Sequence, residues 1–193
     1  MMTPGSLEAQ LFRRLDECES AWARALEAVA DDLDRPSAAP GWSMWDVANH
    51  VAGGAHRYRL LVVGESGVEE TRTQDHVGGD PVGSFWQHER ALREVATSEV
   101  LGRMVPHRAG PRRVDQLLVM RGNDMALHAW DIASAAGHPW PVGEDLAGWL
   151  LENAGPVIDE LREAGFFAEP LQPTGDSSRD RLLARAGRRG PTA

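Results

Sequence analysis

Apolar side chains recur at spacings of three and four along most of the chain, the mark of helices with one buried stripe. Leu7, Leu11, Leu15, Cys18, Trp22, Ala25 (or Leu26) and Val29 trace such a stripe and predict a helix over 6–33, with Asp31, Asp32 and Asp34 crowding its end before Pro36. A second helix is expected over 42–64, with Ser43 as N-cap and Asp46 completing a near capping box. Its stripe runs through Val47, His50, Val51, Gly54, Arg57 (or Tyr58) and Leu61. Gly53 and Gly54 are out of place there, because glycine costs about 1 kcal/mol relative to alanine inside a helix. Close approach of another backbone, or room for a ligand, would account for them.

Residues 64–80 are polar, acidic and glycine-containing and predict a loop near one end of the fold. Helical spacing returns over 81–100 through Phe85, His88 (or Glu89), Leu92, Val95 and Ala96, and VPHRAGPRR follows as an extended connection. A fourth helix is predicted over 112–136, ended by Gly137 and Pro139, and a fifth over 143–165 through Leu146, Trp149, Leu150, Ala154, Ile158 and Leu161. The tail holds a short helix at RDRLLARAG. No alternating run reaches strand length, so the reading is all-α, long helices joined as in a bundle, with one domain over residues 1–193.

Composition narrows the function. A formal net charge of −9 argues against nucleic acid as a partner, and no apolar run is long enough to span a bilayer. The first residues lack a secretory pattern, so the expected compartment is the cytoplasm. All 20 basic residues are Arg. Without lysine there is no Schiff base and no phosphate-loop lysine. Cys18, the single cysteine, excludes intramolecular disulfides and a cysteine-rich metal site, and fits helix packing better than catalysis.

The chemistry concentrates in RGNDMALHAWDIASAAG. On a helix Arg121, Asp124, His128 and Asp131 fall within an arc of roughly 80°. Four ionisable groups on one partly apolar stripe need partners. A hydrogen-bonded Asp124–His128 pair is one answer. The other is a divalent metal held by Asp124 and His128, with His50 of the second helix as third ligand and positions left open. Zinc is the default, and nickel or ferrous iron would also suit. Trp45, Trp130 and Trp149 read as core or pocket wall, and His88 as core. His56, His76, His107 and His138 carry little signal.

PGWSMWDVANHVAGG, NDMALHAWDIASAAGHP and RDRLLARAGRRGP resemble three motifs of the DinB-like superfamily, closest to the mycothiol-dependent maleylpyruvate isomerase N-terminal, metal-binding branch. The resemblance implies a DinB-like four-helix bundle with an additional C-terminal helix. It implies His50, Asp124 and His128 as metal ligands and Asp131 as an acidic group that orients His128 or relays a proton. Asp124 stands where the pattern usually has Glu, so its helix is expected to sit closer or to hold the metal more weakly. The full isomerase carries a further C-terminal domain that this chain is too short to contain whole. The implied activity is thiol-dependent transfer or cis–trans isomerisation of a small electrophilic substrate, with mycothiol as cosubstrate and Arg57 and Arg121 holding a carboxylate by bidentate hydrogen bonds. The alternatives are a thiol-independent metal enzyme of a specialised biosynthetic pathway and a non-catalytic small-molecule-binding bundle. A homodimer is compatible with either.

Overall fold

The computed structural model describes residues 4–190; Pro191, the end of the closing motif, lies outside them. Helices α1 (Pro4–Glu27), α2 (Met44–Val63), α3 (Pro81–Val95) and α4 (Val114–Ala135) form the bundle: α4 packs on α1 and α2, and α3 packs on α2 and α1. Shorter helices α5 (Glu144–Asn153), α6 (Gly155–Glu163) and α7 (Ser178–Arg185) follow, α5 lying against α7. Strands β1 (Met104–Val105) and β2 (Arg112–Arg113) pair antiparallel ahead of α4. The architecture is mostly helical and DinB-like, as the sequence predicts.

The core follows the predicted stripes. Leu15, Trp22 and Leu26 of α1, Val47 and Val51 of α2, Phe85 and Leu92 of α3, and Leu118, Met125 and Ile132 of α4 are all buried. Trp22 meets Phe85 edge to face at 6.2 Å. Cys18 is buried where α1 crosses α4, and a Cβ on Gly122 would lie 3.2 Å from its Sγ, so Gly122 sets how closely the two helices approach. Burial pushes the Cys18 thiol up, which keeps it protonated and inert. The start of α2 has the expected box: the Asp46 amide donates to Ser43 Oγ at 3.1 Å, and the Ser43 amide to Asp46 Oδ2 at 2.8 Å.

Several expected boundaries move. Helix α1 stops at Glu27 rather than 33, because three aspartates at a helix C-terminus oppose the dipole. Helix α3 ends at Val95, and Ser98–Val100 is a separate 3-10 turn. The extended 105–113 connection is a small hairpin, which takes Arg112 and Arg113 out of the fourth helix. The predicted helix over 143–165 is two helices. Pro156 cannot donate to the carbonyl four residues back, so the ladder is interrupted at Ala154, between α5 and α6. The 64–80 loop is pinned rather than loose. The His76 amide donates to Asn49 Oδ1 (2.6 Å), its Nε2 lies 2.8 Å from the Thr71 carbonyl, and its ring is buried beside those of His56 and His88. No helix among the described residues is long and apolar enough to cross a membrane.

Between α1 and α3, Glu19 is 7% exposed and accepts from Arg93 at 3.3 Å. Burial, then the charge of Glu89, pushes its carboxyl up to about 8. Between the ordinary carboxylate range and that value the folded chain holds a proton the unfolded chain has released. Stability therefore falls as pH rises through this window and is favoured below it. Glu19→Gln keeps an acceptor for Arg93 and should gain on the wild type steadily from pH 5 to 8 in urea midpoints; a gap independent of pH would contradict this.

Candidate metal centre

Helix α2 supplies His50 and helix α4 supplies Asp124 and His128. Their ligand atoms all lie within 4.8 Å of one another. Asp124 Oδ1 is 3.2 Å from His50 Nε2 and 3.4 Å from His128 Nε2. The four-residue spacing in α4 stacks Asp124 and His128 on one face, and the packing of α2 on α4 brings the second imidazole to the same point. All three line a cleft of about 1710 Å³ and keep partial exposure to it, with side chains 29%, 28% and 12% accessible in chain order. The indole of Trp42 lies parallel to His128 (5.9 Å, 11°) and tilts over His50 at 5.1 Å.

Each α4 ligand is gripped from behind. His128 Nδ1 donates to Asp131 Oδ2 at 2.9 Å. Asp131 is 1% exposed and takes a two-pronged contact from Arg188, Nε to Oδ1 at 2.8 Å and Nη2 to Oδ2 at 2.7 Å. Burial alone would raise the Asp131 carboxyl, but Arg188 and His128 outweigh it and hold it down at about 2. A carboxylate held so low does not carry protons near neutrality, so of its two expected roles the geometry supports orienting His128. Asp124 turns Oδ2 toward Arg121 Nη1 at 3.5 Å. Burial again works against its charge, and the two imidazoles overcome it and push the carboxyl well below the usual range. Burial lowers His50, partly offset by Asp124, whereas hydrogen bonds to Asp124 and Asp131 overcome burial at His128 and raise it to about 9.

Two expectations need correction. Arg121 is fully buried, and Glu89 Oε2 occupies its Nε (3.0 Å) and Nη2 (2.6 Å), so its fork does not face a substrate carboxylate. It supports Asp124 instead. Gly53 and Gly54 lie against side chains rather than a second backbone, and Gly54 lines the cleft. A Cβ on Gly53 would fall 2.5 Å from the His76 ring, and one on Gly54 2.9 Å from Arg121 Nη1. They make room for the side chains that build the site. Arg57, by contrast, sits at the cleft, donating from Nη2 to the His50 carbonyl at 3.1 Å, with burial and then Arg72 lowering it to about 10.

Sequence reasoning gave no role to Arg188, Glu89 or Trp42. The closing motif, with Arg188 directly after Gly187, and PGW before Ser43 were the available signals for two of them. Nothing local marks Glu89 as a partner of a residue 32 positions away.

A helical bundle closing on two imidazoles and a carboxylate defines a DinB-like protein with a candidate metal centre. The family model for the mycothiol maleylpyruvate isomerase N-terminal domain matches residues 15–133, and the chain belongs to that family. A solved structure, the mycothiol-dependent maleylpyruvate isomerase, is similar with a TM-score of 0.54 at 20% identity, over 77% of this chain and 69% of that one. At that identity the likeness is one of fold. No curated protein matches the chain.

Removing one partner of a buried ion pair strands the other, at a cost of about 3–5 kcal/mol. Glu89→Ala should lose stability of that order in chemical denaturation, and adding Arg121→Met should recover much of it. A single variant as stable as the wild type would show that Arg121 does not need Glu89.

Proposed function

We propose that the chain is a divalent-metal-dependent enzyme that uses a low-molecular-weight thiol, mycothiol, to transfer to or isomerise a small electrophilic substrate. The convergence of His50, Asp124 and His128 at the cleft supports this reading. The donor set fits a cation: two imidazole Nε2 atoms and a carboxylate held ionised, with the cleft side left open. These three residues would hold it, with zinc as the default. Bound there, a divalent cation supplies a Lewis acid that lowers the pKa of a thiol beside it.

The remaining work belongs to the chain. Asp131 accepts a hydrogen bond from Nδ1–H of His128 and so turns Nε2 toward the site. Arg188 keeps Asp131 ionised, and Arg121, balanced by Glu89, keeps Asp124 aimed. Arg57 is tethered to α2 by one hydrogen bond, leaving donors for a carboxylate on the substrate or the thiol. Trp42 covers one side of the imidazoles and limits water there.

Elemental analysis of the purified chain should find about one divalent metal per chain in the wild type and little in His50→Ala. Millimolar mycothiol should raise the melting temperature of the metal-loaded wild type and leave that of His50→Ala unchanged. Equal metal content would remove His50 from the site, and no shift in the wild type would remove the thiol. Asp131→Asn should weaken metal binding about 10- to 100-fold in competition with a chelating dye, because it removes the carboxylate that orients His128. An affinity equal to the wild type's would leave Asp131 without that role.

A further inference from the structure

The cleft is larger than the metal centre needs. At about 1710 Å³ it exceeds the roughly 300–1,000 Å³ of an ordinary small-molecule pocket. Its far wall is apolar and comes from a part of the chain beyond the family match: Val157, Ile158 and Leu161 of α6, then Phe166 and Phe167. Ile158 is buried, but Phe166 is 42% exposed, large for an aromatic ring set in a concave wall.

Of the cations that line the same space, Arg57 and Arg108 have no counterion among the described residues. Arg57 is 8% exposed, and among the described residues it pairs with no carboxylate, its hydrogen bond going to the His50 carbonyl. Arg108, on the hairpin loop, also pairs with no carboxylate among the described residues and lies 4.2 Å over the Phe166 ring. The neighbouring Arg72 is already neutralised by Glu69. A guanidinium this buried lacks compensation until an anion reaches it. A small, fully charged acid would leave the apolar wall wet. A neutral hydrocarbon would leave Arg57 uncompensated.

We propose that the cleft takes an amphipathic small molecule, with an apolar body of aryl or medium acyl size against α6 and Phe166 and one anionic head at Arg57 and Arg108. This deepens the functional reading and rests on it only for the position of the reacting end, beside His50. Phe166 would then serve both parts, its edge toward the body and its face holding Arg108 in place.

Calorimetric titration of the full chain, metal-loaded and metal-free, with acetate, octanoate and octan-1-ol tests this. Octanoate should bind at least about tenfold more tightly than either of the others, since its added methylenes leave water and its carboxylate meets two guanidiniums. Leu161→Ser and, independently, Val157→Ser should lower octanoate affinity about tenfold while leaving acetate unchanged, at melting temperatures near the wild type's. Arg57→Gln combined with Arg108→Gln should bring octanoate down to octanol. Equal binding of octanoate and acetate, or wall variants that preserve their ratio, overturns the apolar body. Octanol as tight as octanoate overturns the anionic head. The preference for octanoate should persist in metal-free protein, so absence of metal would sink the metal reading and leave this one standing.

Discussion

Asp124 offers one oxygen to the Nε2 atoms of His50 and His128 and turns the other toward Arg121. A carboxylate drawn this far out of water must be surrounded by positive charge, or it takes up a proton. The two imidazoles and the guanidinium supply that charge. They create a second problem, because Arg121 is itself fully buried. Glu89 on α3 answers it with an ion pair at 2.6 Å in the middle of the bundle. The parallel arrangement on His128 uses Asp131 and Arg188. Through these two chains of contacts, α3 and the segment after α7 reach a candidate site whose imidazoles and carboxylate lie on α2 and α4.

The fold separates a rigid floor from an independent wall. The floor is the contact of α2 with α4, fixed by core burial and by Gly54 of α2 at the approach point, while Gly122 of α4 lies against α1. Trp140 ties the start of the C-terminal part to α4 by donating from Nε1 to the Ala126 carbonyl at 2.8 Å. Beyond it α5 packs on α7, and Val157, Ile158 and Leu161 of α6 line the cleft. The residues that hold the site's charge lie mostly within the family match, while the apolar wall of α6 and Phe166 lies outside it. A change in α6 can therefore alter what the cleft accepts without disturbing the ligands.

The parts of the site that obey local periodicity were legible in the sequence. Asp124, His128 and Asp131 share a face because a helix repeats every 3.6 residues, and His50 could be joined to them because its own stripe was clear. The parts that depend on contacts distant in sequence left no such trace. Glu89 is 32 residues from Arg121, and Arg188 is 57 from Asp131. Their pairing follows from how α3 and the tail dock, which no periodicity encodes. Arg121 was placed on the correct face but given the wrong partner, since a stripe says which way a side chain points and not what already waits there. The apolar pattern also ran unbroken through Pro156, so one helix was expected where backbone hydrogen bonding makes two.

The shorter carboxylate at 124 tests how tightly these constraints are coupled. The motif this segment resembles carries Glu, and Asp reaches one methylene less. Either α4 moves toward its partners or the oxygen falls short. The Asp124 oxygen nevertheless stands 3.2 and 3.4 Å from the two imidazoles. Gly54 lies directly opposite: a Cβ there would sit 3.7 Å from Asp124 Oδ2 and 2.9 Å from Arg121 Nη1. With no side chain at 54, α2 leaves space for both groups beside its own backbone, and Gly122 gives α4 matching room against α1. The methylene lost from the ligand is absorbed by side chains absent at the helix contacts. Gly54, which looked like a defect in the helix pattern, is thus part of what lets an aspartate occupy this position.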